Sequence, residues 1–420
     1  MSDKMFDMPI TPLPPVKVQT SRAGPFTFQL GVDPIALQTP TIRVDDAWQT
    51  FRASPLAEVA NQLQREVLVQ SVFGTNTIEG ATLTLDQTQS ALDLDPDKVQ
   101  GEQQLRVRNI KAAYDHAVAA AENPGWQLSV DYVRAIHARI CADLPHPDNR
   151  PGLFRDNPRE RPTVVGDADH GGQYKPPQFR GDIDRLMDAL MDWHRQLVDA
   201  GISPLVRAPL VHLYYELIHP LWDGNGRVGR VLEDTILWHA GYKYAPFAMA
   251  KYYQEQLHPY FALFNACRKA AATDQPHPNQ PFVLFHLEGL RVVIARLQGR
   301  VNELVDELLL KNQALGAWNE KLINPRQYAI LRKLVDHPGP LTLEALRVDP
   351  IYQGLYFRKT EKTRQRDRRD LRDTGLIVVD PHGVLRQGVA AVVFVHPGAG
   401  GDGPLPPGGG VDLIDHGNEV

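Results

Sequence analysis

From position 54 onward, apolar residues in this 420-residue chain fall into helical register. Leu56, Val59, Leu63, Val67 and Leu68 recur three and four residues apart behind Ser54-Pro55, a capping residue followed by a first-turn proline. That spacing predicts an amphipathic helix. The same rhythm predicts helices near 86–92, 101–121, 129–142 (opened by Ser129 or Asp131), 181–200, 204–218, 226–240, 255–270 and 281–313. Two stretches interrupt it. Residues 9–40 mix proline, polar and apolar positions without a period, so 1–53 is expected to be an extended or partly disordered arm. Residues 145–180 are rich in Pro, Gly, Asp and Arg and predict a long exposed connection, a kind of loop that usually carries function or disorder.

Beyond position 320 the pattern changes. A helix (RQYAILRKLVDH), a PGP turn, a short helix (TLEALRV), a basic helix (TEKTRQRDRRDLRDT) and two β-rich runs, LIVV and VAAVVFV, joined through DPHG, suit a winged helix-turn-helix over 320–395. In the basic helix Arg358, Lys359, Lys362, Arg364, Arg366, Arg368, Arg369 and Arg372 face only Glu361, Asp367 and Asp370. Such a run is most often a solvated face. As the third helix of a winged motif, 358–372 would instead contact DNA or grip a protein partner. The stretch 396–420 is low-complexity Gly/Pro sequence, expected to be a flexible tail.

Composition narrows the classes. Hydrophobic content of 43% and charged content of 23% are those of a folding chain, which excludes wholesale disorder. Cys141 and Cys267 are too few for a disulfide scaffold or a C-x₂-C zinc site, which suits a reducing compartment. No apolar leader opens the chain, and no run reaches the roughly 18 residues of a spanning helix, so a cytoplasmic protein without membrane contact is expected. A net charge of -5 argues against a chain that coats nucleic acid as a whole. The expected organisation is therefore the arm, a helical region over 54–125, a mainly α core over 126–315, the winged segment and the tail.

The chemistry concentrates in His219-Pro-Leu-Trp-Asp-Gly-Asn-Gly-Arg-Val-Gly-Arg230, between two apolar-periodic helices. Gly224 and Gly226 bracket Asn225, so the backbone can turn sharply and approach a ligand. The helix that follows offers free N–H groups and a positive dipole end to an anion. Arg227 and Arg230, three apart, bring two guanidinium forks suited to a polyphosphate. Asp223 is placed to hold a divalent cation, and His219 to take a proton from an attacking hydroxyl. This run resembles the signature of the Fic family, His-x-Phe-x-Asp/Glu-Gly-Asn-Gly-Arg-x-x-Arg, and matches every polar position. It departs at Leu221, where the family usually has Phe as the core anchor of the loop.

The resemblance implies an all-helical Fic core with a short β-hairpin flap, and transfer of AMP from Mg-ATP to a Ser, Thr or Tyr hydroxyl of a protein, the chain itself included. It makes His219 the general base and Asp223 the Mg²⁺ ligand. Gly224, Asn225, Gly226, Val228 and Gly229 become the phosphate-holding loop, and Arg227 and Arg230 the β- and γ-phosphate contacts. It also makes Tyr260, at the start of Tyr-Phe-Ala-Leu, an adenine-side residue. Thr75-Asn-Thr-Ile-Glu79-Gly80 taken alone is an ordinary helix C-terminus; beside such a core it resembles the family's inhibitory motif, in which Glu79 would pair with Arg230. Whether that glutamate also serves AMP removal stays open. Pro151-Gly-Leu-Phe-Arg155 resembles the loop before the flap. Gly172-Gln-Tyr-Lys-Pro-Pro177 resembles the flap itself, with Tyr174, Lys175 and Pro176 meeting the target peptide by strand addition. A homodimer is a further partner the resemblance implies. Two alternatives remain: a DNA-binding regulator whose Fic domain only senses a nucleotide, and a Fic enzyme with another nucleotide donor.

Overall fold

A computed structural model describes residues 13–21, 24–146, 149–336, 341–380 and 384–387. They are mainly helical and divide into two compact units, residues 1–305 and 306–420. The first begins with an antiparallel hairpin, β1 (Val16–Gln19) and β2 (Pro25–Phe28), in which Val16 faces Phe28 and Gln19 faces Pro25. Helix α1 (Pro34–Ala53) follows, opened by an Asp33 carboxylate that accepts from the Ile35 amide at 2.9 Å and by Pro34 in the first turn. The expected arm over 1–53 is thus corrected for 34–53. Leu37, Val44, Trp48 and Phe51 form a buried stripe at helical spacing that Pro34 and Pro40 obscure in the sequence. Residues 1–12 lie outside the described residues.

Ser54 ends α1 and does not open the next helix as expected: a single tight turn over Leu56–Glu58 follows it, and α2 (Ala60–Ile78) starts only at Ala60. The other helices match the sequence periodicity closely: α3 (Leu85–Asp93), α4 (Glu102–Ala121), α5 (Val130–Ile140), α6 (Arg180–Asp199), α7 (Pro204–Ile218) and α8 (Asn225–His239). The helix expected over 255–270 is α10 (Leu257–Ala272); the helix before it, α9 (Ala245–Glu255), which it meets at Gln256, is not foreseen by the periodicity. Helix α9 escapes a periodicity reading because Ala245 through Ala250, with Tyr252 and Tyr253, are buried, leaving no polar stripe. Helix α11 (Gln280–Asn319) follows. The boundary between the units lies inside it, not between 315 and 320 as expected: Val301 and Leu304 pack in the first core, Leu310, Ala314 and Ala317 in the second.

Two packing relations position the site. Helices α7 and α8 are buried on almost every face, so the loop between them, 219–224, is carried by the most enclosed elements of the first unit. Helix α2 crosses α9 at Gly74, where a Cβ would lie 2.8 Å from the Ala250 carbonyl carbon, so the two backbones touch.

The second unit contains α12 (Pro325–Asp336), β3 (Leu341–Thr342), α13 (Leu343–Val348), α14 (Pro350–Leu355), α15 (Glu361–Asp373), β4 (Ile377–Val379) and β5 (Val384–Gln387). Its antiparallel sheet has the order β3-β5-β4. The basic helix α15 is capped by Thr360 and anchored by buried Asp367, which accepts from Arg326 Nε at 2.7 Å and from the Tyr356 hydroxyl at 3.0 Å. The last described strand is VLRQ, one step before the VAAVVFV run expected to pair; that run and the tail lie outside the described residues. Among the described residues no helix is long and apolar enough to cross a membrane.

Candidate active site

Helix α7 ends in His219, whose backbone is left-handed at φ 50° and ψ 60°, a conformation uncommon for a residue with a Cβ. The surrounding chain holds it there. Arg155, fully buried, donates from Nε to the His219 carbonyl at 2.6 Å and from Nη2 to the Ile218 carbonyl at 3.3 Å, while its own amide donates to Pro220 O at 2.9 Å. The Asn225 side chain closes the loop from the other end: its Oδ1 accepts from the Leu221 amide and its Nδ2 donates to the Leu221 carbonyl, both at 2.9 Å. Leu221 is fully buried, so leucine here occupies the anchoring position. Gly224, at φ 78°, turns the chain into α8. Below it lies His137, which accepts from the Gly152 amide at 3.0 Å; burial and the charge of Arg227 lower its pKa to about 4, so the ring is neutral. The motif gives no signal for Arg155 or His137 as supports of this loop, because both reach it from distant sequence.

The His219 side chain is 21% exposed, and its Nδ1 lies 3.4 Å from Glu216 Oε2, within ion-pair reach but without hydrogen-bond geometry. It borders a cavity of about 290 Å³ whose walls include Glu79, Tyr174, Glu216, Gly226, Arg230 and Phe264. Buried Arg230 lies on that wall and is fully engaged. Its Nε donates to Thr75 Oγ1 at 2.9 Å, its Nη2 to Glu79 Oε1 at 2.7 Å and its Nη1 to the Tyr260 hydroxyl at 3.3 Å. Thr75 and Glu79 therefore share the helix face that their spacing predicts.

Arg227 points elsewhere. Its Nη2 donates to Asp223 Oδ2 at 2.9 Å, whereas Nε and Nη1 are buried with no hydrogen-bond partner among the described residues. Burial pushes the Asp223 carboxyl pKa up, but the charge and hydrogen bond of Arg227 and the Gly224 amide outweigh it and leave the group below its ordinary value. Asp223 is thus an ionised carboxylate beside a helix N-terminus, and Arg227 an enclosed cation with donors unused: a fit for a cation paired with an anion.

Several expected ligand residues have other tasks. The Asn225 side chain uses one donor and one acceptor in bracing Leu221, and its backbone amide stands at the start of α8. Val228 is buried core, and Gly229 is the close approach of α8 to α7, where a Cβ would fall 2.7 Å from Glu216 Oε1 and 2.8 Å from His212 Cδ2. Tyr260 borders the cavity but is buried, stacked on Tyr253 with centroids 4.5 Å apart, its hydroxyl directed at Arg230 and His212. It supports Arg230 and offers no open face to a base. In the long connection, Val165 and Tyr174 form an antiparallel bridge with two hydrogen bonds of 3.0 Å, and the Tyr174 hydroxyl donates to Glu216 O at 2.9 Å. Lys175 is exposed as a strand-adding flap requires; Pro176 is buried and cannot meet a peptide directly.

This helical core and loop define a Fic-type fold. The Fic/DOC family model matches residues 127–237, from just before α5 to the end of α8, and this stretch is a Fic domain. The chain is 28% identical over 181 residues to the protein adenylyltransferase Fic of Nematostella vectensis, covering 42% of this chain and 39% of that protein. It is 27% identical over 206 residues to the protein adenylyltransferase Fic of Drosophila willistoni, covering 48% and 38% respectively. The chain thus spans about two fifths of the length of the curated relatives it matches. Among solved structures it resembles a Fic family protein from Desulfovibrio desulfuricans, with a TM-score of 0.51 at 20% identity over 86% of this chain and 97% of that one. It also resembles a Fic domain containing signaling protein from Bacteroides thetaiotaomicron, with a TM-score of 0.51 at 20% identity over 63% and 97%. These two likenesses concern the fold.

Proposed function

We propose that this chain is a protein adenylyltransferase that moves AMP from ATP to a Ser, Thr or Tyr hydroxyl of a protein and is restrained by Glu79. The observation that carries the proposal is the meeting, around one cavity, of His219 on the α7–α8 loop and Arg230 on the helix that follows. The names of the curated relatives support it. In the reaction the target hydroxyl oxygen bonds to the α-phosphorus, the bond from that phosphorus to the bridging oxygen breaks, and pyrophosphate leaves. His219 takes the hydroxyl proton, and the amides at the start of α8 face the charge that develops on the phosphate. Arg227 and Arg230 orient the β- and γ-phosphates, and the strand edge at Lys175 offers backbone groups to the target peptide.

Asp223 is the residue that would hold Mg²⁺; its low pKa and the unpartnered donors of Arg227 beside it fit a metal shared with phosphate oxygens. The ion would supply charge neutralisation at the phosphates. Glu79 occupies the outward edge of Arg230, which the γ-phosphate would need, so the ion pair disfavours the productive pose of ATP. Incubation of the purified chain and its Glu79→Gly variant with ATP and magnesium, followed by mass spectrometry for AMP on itself and on proteins of a lysate, tests the proposal. No AMP on any protein with either form would refute it.

A second reading, contact of the second unit with DNA, is favoured by one observation. A concave face of α15 is lined by Lys362, Arg366, Arg368, Arg369 and Arg372 with no acidic side chain among the described lining residues. Fluorescence anisotropy with duplex DNA is expected to show binding that weakens steeply with salt and is lost in Arg366→Glu/Arg369→Glu. Salt-independent or absent binding would leave α15 a solvated face.

A further inference from the structure

A buried polar chain runs from the cavity wall into the middle of the helical core. Arg230 Nη1 meets the Tyr260 hydroxyl at 3.3 Å, and that hydroxyl meets His212 Nε2 at 3.1 Å. His212 Nδ1 lies 2.8 Å from Glu233 Oε2. Glu233 Oε1 accepts from the Tyr253 hydroxyl at 2.7 Å, and Tyr253 meets His286 Nδ1 at 3.0 Å. His212, Glu233, Tyr253 and His286 are fully buried and come from four helices, α7, α8, α9 and α11. AMP transfer as set out above makes no use of them.

Elementary donor and acceptor rules fix both ends of the chain. A guanidinium has only protons to give, so the Tyr260 oxygen accepts from Arg230. The Glu233 carboxylate accepts, so His212 Nδ1 carries a proton and donates to it, which leaves Nε2 facing the Tyr260 hydroxyl. One buried carboxylate thereby anchors the chain that ends in the acceptor presented to Arg230. The other partners of Arg230 differ in kind. Thr75 lies in the last turn of α2 and Glu79 caps it, so both reach Arg230 from one end of one helix. Tyr260 lies on α10.

We propose that Glu233, His212 and Tyr260 are positioning residues for Arg230: they hold the inner edge of the guanidinium so that its outer edge remains aimed into the cavity, ready for the nucleotide's terminal phosphates, once Glu79 leaves. This rests on the reading of Arg230 as a phosphate contact.

The test uses the full chain carrying Glu79→Gly, alone and with Tyr260→Phe or Glu233→Gln, and calorimetric binding of ATP and of AMP, each with magnesium. Each added substitution is expected to weaken ATP binding about tenfold and to leave AMP, which has no terminal phosphates, unchanged. Nitrogen NMR of the histidines is expected to find a His212 proton on Nδ1, the nitrogen that faces Glu233, in the parent. Equal losses for ATP and AMP would mean a loosened core and would overturn the proposal, as would unchanged ATP affinity or a parent His212 protonated on Nε2 alone. If Glu79→Gly binds no ATP at all, the reading of the cavity fails instead. The proton position then decides by itself: Nδ1 upholds the anchored chain and Nε2 alone overturns it.

Discussion

Glu79 Oε1 and Arg230 Nη2 lie 2.7 Å apart across 151 residues of sequence, and the two partners are unequally held. The arginine side chain is 2% exposed and gripped from three sides; the glutamate is 24% exposed at the last turn of α2. Gly226 makes the meeting sterically feasible, because a Cβ there would fall 2.5 Å from Glu79 Oε1. A fixed cation therefore faces a releasable anion.

Replacing Glu79 by Gly removes the anion and leaves the cation in place. Incorporation of label from ATP marked at the α-phosphate is expected to rise by roughly five- to 150-fold, the range of ordinary regulatory couplings. Adding His219→Ala to the same chain should return incorporation to background.

Loss of His219, the proposed base, should separate binding from chemistry. In the Glu79→Gly background, His219→Ala is expected to lower AMP transfer by roughly 10²- to 10⁴-fold while calorimetric affinity for MgATP is retained. Arg155→Met, which frees the His219 carbonyl from its buried clamp, should lower kcat with little change in KM for ATP, since Arg155 bonds the loop backbone and not the phosphate wall.

Acid sensitivity follows from the neutral histidine under the loop. His137 is held at about pH 4, below its ordinary 6.5, mainly by burial and then by Arg227. Between those values the unfolded chain binds a proton that the folded chain refuses, so stability is full above about pH 6.5 and declines toward about pH 4. The loss is on the order of 3 kcal/mol for this group. Urea unfolding at a series of pH values should reveal the slope, and His137→Gln should flatten it by about one proton. The slope that remains is expected to include buried His194, lowered to about 3 by burial and Arg207.

Two glycines should respond to alanine with opposite signs. Gly229→Ala would drive a methyl into the enclosed His212 ring and is expected to destabilise by about 1–3 kcal/mol. Gly299, on an exposed turn of α11, meets nothing within 4 Å among the described residues, so Gly299→Ala should stabilise by up to about 1 kcal/mol. Thermal melts of the two variants check both.

The parts of the site that the sequence discloses are those whose geometry is local. The turn between Gly224 and Gly226, the start of α8 and the shared face of Thr75 and Glu79 depend on spacings of a few residues, and spacing survives in sequence. Arg155 and the Tyr260–His212–Glu233 chain are invisible there because they reach their partners through tertiary packing, 64 residues away in the case of Arg155 and His219. Asn225 was legible as a polar residue in an anion loop, but only the fold reveals that its amide ties down Leu221. The same limit governs the elements: α9 has no polar face to betray it, and the prolines around α1 imitate a loop.

The touching backbones of α2 and α9 at Gly74 bear on how the proposed restraint by Glu79 would be released. Two chains in such contact can neither slide nor roll past each other without opening a gap or a clash, so α2 is a fixed post for all but its end. Release is then the work of one side chain or one frayed turn, an event of nanoseconds to microseconds. On the proposed function the chain would not await a slow rearrangement; paired and unpaired states of Glu79 would be in continuous fast exchange, their ratio set by whatever competes for the outer edge of Arg230.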